Sequence, residues 1–214
     1  MLTVALIDYG SGNLRSAEKA LVGAARATSP SPRVLITSDP DIIANADWVV
    51  LPGVGAFAAC MAAVGSLSGL IEAMTHATRL RGAPFLGICV GMQLMASRGL
   101  EFAETAGFGW MAGEVRRLAP AEPRFKVPHI GWNTLEGSLG TPLLAGLPQG
   151  AHMYFTHSYA FFPADQRDVA ARTTHGETFA AAVRRDNLAG VQFHPEKSQA
   201  TGATVLANFL AWRP

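Results

Sequence analysis

The chain has 214 residues, of which 49% are hydrophobic and 15% are charged, and its formal net charge is +1. This length and composition predict a single α/β domain over residues 1–214 with enough apolar side chains for a buried core. No charge run indicates a nucleic-acid or membrane-surface partner, and no stretch approaches the roughly 18 consecutive apolar residues of a membrane span. The short apolar N-terminus predicts a first strand, and with two cysteines and no export signal we expect a cytoplasmic protein.

Strands and helices alternate in the first half of the chain. Apolar segments predict strands at residues 2–8, 33–37, 48–51 and 84–88. Alanine-rich segments between them predict helices at residues 14–27 and 56–81, the second with a break near residues 65–69. Near-continuous apolar strands separated by amphipathic helices are typical of a parallel sheet covered on both faces.

The second half has a different pattern, with short segments bounded by Gly, Pro and Asn. These segments predict strands at residues 114–118, 130–135, 153–160, 169–174, 178–184 and 188–193. An alanine-rich helix is predicted at residues 203–212.

The segment PFLGICVGMQ at residues 84–93 predicts a nucleophile elbow. An apolar strand ends just before Cys89, and glycines lie two residues to either side of it. This is the strand–nucleophile–helix order of the G-x-S-x-G elbow, with cysteine in place of serine. A helix starting after Cys89 would favour its thiolate through the helix dipole. The alternative is a buried cysteine at a strand end, and core filling is what we expect for Cys60, which lacks such a context.

The segment VQFHPEK at residues 191–197 supplies a candidate base and a group to orient it. A strand delivers His194 at its C-terminal end, Pro195 turns the chain, and Glu196 is close enough to hydrogen-bond one imidazole nitrogen. Ligands of parallel α/β sheets bind at the carboxyl ends of strands, so we expect Cys89 and His194 to converge there. Taken alone, His194 would more often be a structural histidine, but the elbow at Cys89 favours the catalytic interpretation.

The segment LPGVGAF at residues 51–57 predicts an oxyanion loop. Gly53 and Gly55 let the intervening peptides rotate, so the N–H of Val54 could stabilise a tetrahedral oxyanion. The N–H of Val90, directly after the nucleophile, would be a second donor. The alternative for this segment is a plain strand-to-helix turn.

These motifs together resemble the class I (triad) glutamine amidotransferases, whose nucleophile and His/Glu motifs are matched by GICVGMQ and VQFHPE. The sequence resembles one branch of this family more closely, the glutaminase subunits of imidazole glycerol phosphate synthases in histidine biosynthesis. Its motifs are matched by DYGSGNLRS at residues 8–16, LPGVGAF at 51–57, KVPHIGWN at 126–133, YFTHSYA at 154–160 and HPEKSQ at 194–199. The resemblance implies the family's flavodoxin-like α/β fold, an open, mostly parallel mixed sheet flanked by helices.

The resemblance also implies a role for each matching residue. Cys89 would attack the side-chain amide of glutamine, His194 would relay protons and Glu196 would orient His194. Glutamine would be held at Gly55, Gln93, Glu101, Ser158 and Tyr159. For Glu101 a solvated surface acid is the alternative, because Arg98 and Gly99 interrupt the acidic stretch that the family carries there.

No cofactor and no metal are implied, but a partner is. Ammonia would pass to a (β/α)8-barrel cyclase subunit in a heterodimer, where it would reach an aminoimidazole-forming ribonucleotide substrate. Positions near that interface are matched by Asn13, Trp132, Asn133 and Lys197.

Three other functions fit parts of the pattern. A glutaminase of another pathway would share the triad, but PGVG and PHIGWN argue against it. A cysteine hydrolase acting on peptides or small amides would share the elbow, but the HPE motif and Gln93 argue against it. A non-catalytic binding subunit would have no reason to keep a cysteine, a histidine and a glutamate together.

Overall fold

The computed structural model describes residues 1–137 and 141–214, and its first half alternates strands and helices as the sequence predicts. The strands are β1 (Thr3–Ile7), β2 (Arg33–Thr37), β3 (Trp48–Gly53) and β4 (Phe85–Cys89). The helices are α1 (Leu14–Ala25), α2 (Pro40–Ala44), α3 (Phe57–Ser66), α4 (Leu70–Thr75) and α5 (Val90–Gln93). A π-helical segment, His76–Leu80, continues α4, so the predicted break after α3 is present.

The second half contains mostly strands. They are β5 (Arg98–Gly99), β6 (Thr105–Ala106), β7 (Gly113–Arg117), β8 (His129–Thr134), β9 (His152–His157), β10 (Tyr159–Pro163), β11 (Val169–Thr174), β12 (Thr178–Arg185) and β13 (Leu188–Val191). The last helix is α6 (Gln199–Ala211), which begins four residues before the predicted start.

The central sheet has the strand order β11-β12-β13-β4-β3-β1-β2 within the described ranges. Strands β2, β1, β3, β4 and β13 run parallel, whereas β12 and β11 are antiparallel additions at one edge. Every residue of β3 and β4 is buried, as expected for strands covered on both faces. Helices α1 and α6 pack together, and α2 and α4 form a second packed pair. The predicted open, mostly parallel mixed sheet is confirmed.

One predicted strand is wrong, and the difference shapes the site. The sequence predicts a single strand over residues 153–160, but the structure has β9 and β10, which lie in different sheets. β9 pairs with β8 in a two-stranded ribbon, and β10 pairs with β7. Ser158 lies at the break, where its carbonyl accepts a hydrogen bond from the backbone N–H of Leu118 at 2.9 Å. A period-2 pattern does not reveal which strand each half will meet, so the sequence could not place this break.

Among the described residues, no single helix is long and apolar enough to cross a membrane. The helical segments Phe57–Ser66 and Leu70–Leu80 reach that length only as a pair, and they are bent by 96° at the break between them.

Candidate active site

Cys89 lies at a sharp turn between β4 and α5. Its backbone angles, φ 55° and ψ −113°, fall outside the regions that non-glycine residues normally adopt. The turn packs closely on β3, since a Cβ on Gly91 would lie 1.8 Å from the carbonyl oxygen of Leu51. Only glycine fits there. A strained residue at the end of a central strand, followed by a glycine-dependent turn, is the geometry of a nucleophile elbow.

The helix after Cys89 is short. α5 is a single turn of four residues, Val90–Gln93. The helix dipole depends on aligned peptides over several turns, so α5 contributes less to a thiolate than a full helix would. The helix dipole is therefore a small influence on the Cys89 sulfur.

His194 and Glu196 form a buried pair at the end of β13. His194 Nδ1 and Glu196 Oε1 lie 2.9 Å apart, and the two side chains are 2% and 3% exposed. The backbone of His194 is fixed at both ends, since its N–H donates to the Tyr154 carbonyl at 2.9 Å and its carbonyl accepts from Ser198 Oγ at 2.7 Å. The imidazole is thus held in one orientation by its carboxylate partner, as a catalytic base requires.

The surroundings of His194 raise its pKa to about 9. Burial is the largest single influence and would lower this pKa, but the interactions with Cys89 and Glu196 together outweigh it. His194 Nε2 has no hydrogen-bond partner among the described residues. Cys89 therefore raises the pKa of His194 by its proximity, without a well-aligned hydrogen bond. An imidazolium beside the sulfur favours a thiolate.

Most of the predicted site residues line one cavity of about 280 Å³. It brings together Cys89 and His194, both predicted oxyanion residues and all five predicted glutamine-binding residues. Its lining consists of Val54, Gly55, Cys89, Val90, Gln93, Glu101, Thr156, His157, Ser158, Tyr159, His194 and Lys197. Residues that are more than 130 positions apart in the sequence thus converge at the carboxyl ends of β3, β4 and β13.

Glu101 is held by the start of α3. Its Oε2 accepts a hydrogen bond from the backbone N–H of Phe57 at 2.8 Å, at the positive end of that helix. Glu101 is partly buried and lines the cavity, so the solvated surface acid considered from the sequence does not describe it. Its other carboxylate oxygen remains available to a cationic group in the cavity.

The predicted oxyanion loop is tied to Ser11. The N–H of Val54 donates to Ser11 Oγ at 3.3 Å, and Ser11 Oγ donates to the Val54 carbonyl at 2.7 Å. Cys60 Sγ donates to the same carbonyl at 3.3 Å. In this arrangement the Val54 N–H is occupied and does not serve an oxyanion. Rotation of the Gly53–Val54 peptide to present that N–H stays a prediction.

Gln192 is a cavity neighbour that the sequence analysis missed. Its side chain is fully buried, and its Nε2 lies 3.6 Å from Cys89 Sγ. Its Oε1 accepts from Gln93 Nε2 at 3.0 Å. The signal was present in VQFHPEK, because Gln192 is two residues before His194, and residues two apart on an extended chain share a face.

Two buried histidines lie behind the cavity on β8 and β9. His157 Nδ1 donates to the Tyr159 carbonyl at 2.9 Å, which leaves Nε2 to accept from His129 Nδ1 at 3.1 Å. Asn133 Nδ2 lies 3.3 Å from His129 Nε2. Burial is the main cause that lowers the pKa of His129 to about 4 and that of His157 to about 3, so both are neutral at neutral pH.

The predicted interface residues lie mostly outside the cavity. Trp132 is 47% exposed on β8, and its neighbour Asn133 donates to the Thr174 carbonyl at 3.0 Å. Asn13 precedes α1 and lies beside His194 and Glu196. Lys197 reaches the cavity rim, with Nζ 5.8 Å from the centre of the Tyr154 ring. In the described part of the chain, no group of three or more His, Cys, Asp or Glu side chains is placed to hold a metal ion.

A cysteine at a strained strand end, beside a buried histidine–carboxylate pair on the neighbouring parallel strand, is the arrangement of a cysteine-dependent amide hydrolase on an open α/β sheet. The family model of class I glutamine amidotransferases matches residues 5–212. The chain therefore belongs to the class I glutamine amidotransferase family.

Similar proteins are found by sequence and by fold. The imidazole glycerol phosphate synthase subunit HisH of Caulobacter vibrioides is 56% identical, and that of Cereibacter sphaeroides is 53% identical, each over 100% of both chains. A solved glutamine amidotransferase structure superimposes with a TM-score of 0.69 at 17% identity, covering 97% of each chain. The glutaminase domain of Trypanosoma brucei CTPS gives 0.63 at 15% identity, covering 99% of this chain and 93% of that one. At these identities the structural likenesses show the fold.

Proposed function

We propose that this chain is the glutaminase subunit of an imidazole glycerol phosphate synthase and that it hydrolyses glutamine to glutamate and ammonia. The observation that carries the proposal is the cavity lined by Cys89, His194, Gln93 and Glu101. Glu196 does not line this cavity but is hydrogen-bonded to His194. Identities of 56% and 53% to two subunits of that synthase, over full length, support the choice of pathway.

The reaction begins with attack of the Cys89 sulfur on the side-chain amide carbon of glutamine. The carbonyl π electrons move to oxygen, and the N–H groups of Val90 and, after rotation, Val54 stabilise the oxyanion. When the oxyanion collapses, the C–N bond breaks and His194 gives a proton to the leaving nitrogen, so ammonia departs and a thioester remains. His194 then takes a proton from water, whose oxygen attacks the thioester carbon. The C–S bond breaks, glutamate leaves, and the Cys89 thiolate is restored beside protonated His194.

The α-amino and α-carboxylate groups of glutamine are held by cavity residues other than the triad. Glu101, with one oxygen on the N–H of Phe57, offers the other to the substrate ammonium. The carbonyl oxygen of Gln93 and the backbones of Gly55, Ser158 and Tyr159 complete the set. These contacts orient glutamine so that its side-chain amide reaches Cys89.

The ammonia is delivered to a partner. The proposed partner is a (β/α)8-barrel cyclase subunit, in a cytoplasmic heterodimer, which uses the ammonia to form imidazole glycerol phosphate and an aminoimidazole carboxamide ribonucleotide. Ile130 and Trp132 on the outer face of β8 are 62% and 47% exposed, which is consistent with an apolar contact area. Asn13, Asn133 and Lys197 are the polar residues proposed for the same interface.

The test combines the chain with a cyclase and its ribonucleotide, and measures glutamate and imidazole glycerol phosphate together. We expect Cys89→Ala to lower glutamine-dependent turnover by about 10³-fold or more, since no other group can form the thioester. Synthesis driven by added ammonium salt should survive, because it does not need this site.

Cys60→Ser is the matched control. It removes the second thiol but keeps a donor for the Val54 carbonyl, and should retain glutamine hydrolysis. Near-parental glutamine turnover in Cys89→Ala would contradict the mechanism. Glutamate release without imidazole glycerol phosphate formation would instead point to a glutaminase of another pathway.

A further inference from the structure

Gln192 has an unusual set of contacts for a fully buried side chain. Its backbone N–H donates to the Ala181 carbonyl at 2.9 Å, so the main chain is satisfied by the sheet. Both hydrogen bonds of its side-chain amide go to side chains of the active site, Cys89 and Gln93. Most side-chain hydrogen bonds in proteins go to backbone or water, but neither of these two goes to backbone.

The orientation of this amide is set by a carbonyl that can only accept. Gln93 Nε2 lies 2.8 Å from the Tyr159 carbonyl oxygen, so this end of Gln93 is its NH₂ group. The same NH₂ group lies 3.0 Å from Gln192, which must therefore present its oxygen. The remaining end of Gln192, its own NH₂ group, is then directed at Cys89 Sγ at 3.6 Å.

We propose that Gln192 is a positioning residue for the glutaminase reaction, an inference that rests on the proposed function. Its NH₂ group donates to the Cys89 sulfur and favours the thiolate over the thiol, in a place where the one-turn α5 offers little help. Its carbonyl fixes the amide of Gln93, so that the Gln93 oxygen, which has no partner among the described residues, stays available to the substrate. One buried amide thus links the nucleophile to substrate binding.

The direct test is the pH dependence of Cys89 alkylation. The full chain is treated with iodoacetamide from about pH 5 to 10, and the Cys89 and Cys60 peptides are quantified separately by mass spectrometry. In Gln192→Met, which has similar size but no donor or acceptor, we expect the midpoint pH for Cys89 to rise by about one unit. Below the midpoint this is an approximately tenfold slower reaction at the same pH.

Two further variants separate the two roles of Gln192. Gln192→Glu keeps the acceptor for Gln93 but replaces the donor by a carboxylate, so the Cys89 midpoint should rise while the KM for glutamine stays near the parental value. Gln192→Met loses both contacts, and its KM should rise as well. Thr173→Val is the control, since Thr173 is also a fully buried polar residue but lies on β11, and its midpoint should equal that of the parent.

A folded Gln192→Met variant with the parental Cys89 midpoint would overturn the proposal. If Gln192→Met does not fold, an unchanged Cys89 midpoint in the nearly isosteric Gln192→Glu would overturn the proposal as well. The alkylation experiment needs neither glutamine nor a partner. Failure of the proposed function would appear as a parent chain that does not hydrolyse glutamine with a cyclase subunit, whereas failure of this inference would appear as an unchanged midpoint in a parent that does.

Discussion

At the scale of single residues, the charge on His194 depends on two neighbours. Burial alone would lower its pKa, and the interactions with Cys89 and Glu196 raise it to about 9. The imidazolium form is therefore held through neutral pH and is lost as the pH rises through about 9. A protonated His194 is the form that can give a proton to the departing ammonia, so glutamine hydrolysis should have an alkaline limb in that range.

Glu196→Gln tests this assignment. Removing the carboxylate removes one cause of the raised pKa, so the pKa of His194 should fall and the alkaline limb of kcat/KM should move down by about one pH unit or more. Activity near neutral pH should fall less than in His194→Ala, because the amide oxygen can still accept from Nδ1. An alkaline limb at the parental position, or a larger loss than in His194→Ala, would contradict the assigned roles.

At the scale of elements, the paired strands β8 and β9 carry two neutral buried histidines, His129 and His157, that face each other. Their folded-state pKa values, about 4 and about 3, lie below the ordinary value of 6.5 mainly because of burial, with His175 adding repulsion to both and His194 to His157. The unfolded chain takes up protons as the pH falls below 6.5, whereas the folded chain does not until about 4. The contribution of this pair to stability is therefore complete above pH 6.5 and is lost as the pH falls towards 4.

The corresponding experiment is urea unfolding between pH 6.5 and 5, above the main range of carboxylate titration. With two protons taken up on unfolding, the free energy of unfolding should fall by at most about 2.7 kcal/mol per pH unit, twice the 1.36 for one proton. His129→Gln keeps a donor for His157 and should reduce this slope by about half. His76→Gln, at an exposed histidine, should leave the slope unchanged. Equal slopes in the parent and His129→Gln would show that the pair does not titrate this way.

The oxyanion loop around Val54 is restrained by Ser11. Ser11 holds both the N–H and the carbonyl of Val54, so Ser11→Ala should free the loop to present the N–H to the substrate. One missing oxyanion donor costs about 10²–10³ in rate, and we expect turnover without the cyclase's ribonucleotide to rise about tenfold or more. If binding of that ribonucleotide to the cyclase promotes the same peptide rotation, it should stimulate turnover in the parent, and this stimulation should shrink in Ser11→Ala. Parental rates in both states would exclude Ser11 as the restraint.

Cys60 and Gly53 also lie beside Val54, but substitutions there are weaker or less selective tests than Ser11→Ala. Cys60→Ala removes one bond to the Val54 carbonyl but leaves the N–H on Ser11, and should have a smaller effect. Gly53→Ala would not be a selective probe of this loop. A Cβ at Gly53 would lie 2.7 Å from both the backbone nitrogen of Gly91 and the hydroxyl of Tyr9, so it would disturb the elbow itself.

At the scale of the whole molecule, the proposed cyclase contact depends on the apolar outer face of β8. Trp132→Ala should weaken binding of the cyclase subunit by about tenfold or more in isothermal titration calorimetry, because exposed tryptophans that become buried are frequent hot spots. Leu80→Ala is the control. Leu80 is 77% exposed but precedes β4, so it lies towards the amino ends of the central strands, whereas the cavity lies at their carboxyl ends. Equal affinities of the Trp132 variant and the parent would place the interface elsewhere.

A chain of hydrogen bonds connects Asn133, beside the proposed interface, to Cys89 in the cavity. Asn133, next to Trp132, contacts His129, which contacts His157, and both His157 and Gln93 donate to the Tyr159 carbonyl. Gln93 then reaches Cys89 through Gln192. The path joins the proposed interface to the nucleophile.

The sequence by itself determined the parts of the site that are local. The elbow around Cys89, the turn from His194 to Glu196 and the glycine loop around Val54 each occupy at most ten residues, and their chemistry follows from side chains and glycines in fixed order. The parallel half of the sheet was equally predictable, because its buried strands read as apolar runs between helices.

Only the tertiary structure decided what depends on distant partners. Gln192 and Cys89 are 103 residues apart, and the strand pattern that places Gln192 near His194 does not say which side chain it will meet across the sheet. The break at Ser158, the neutral His129–His157 pair and the hold of Ser11 on Val54 have the same origin. Each depends on how separately patterned segments pack, and packing is set by the shapes and unsatisfied polar groups of both partners together, which no local pattern encodes.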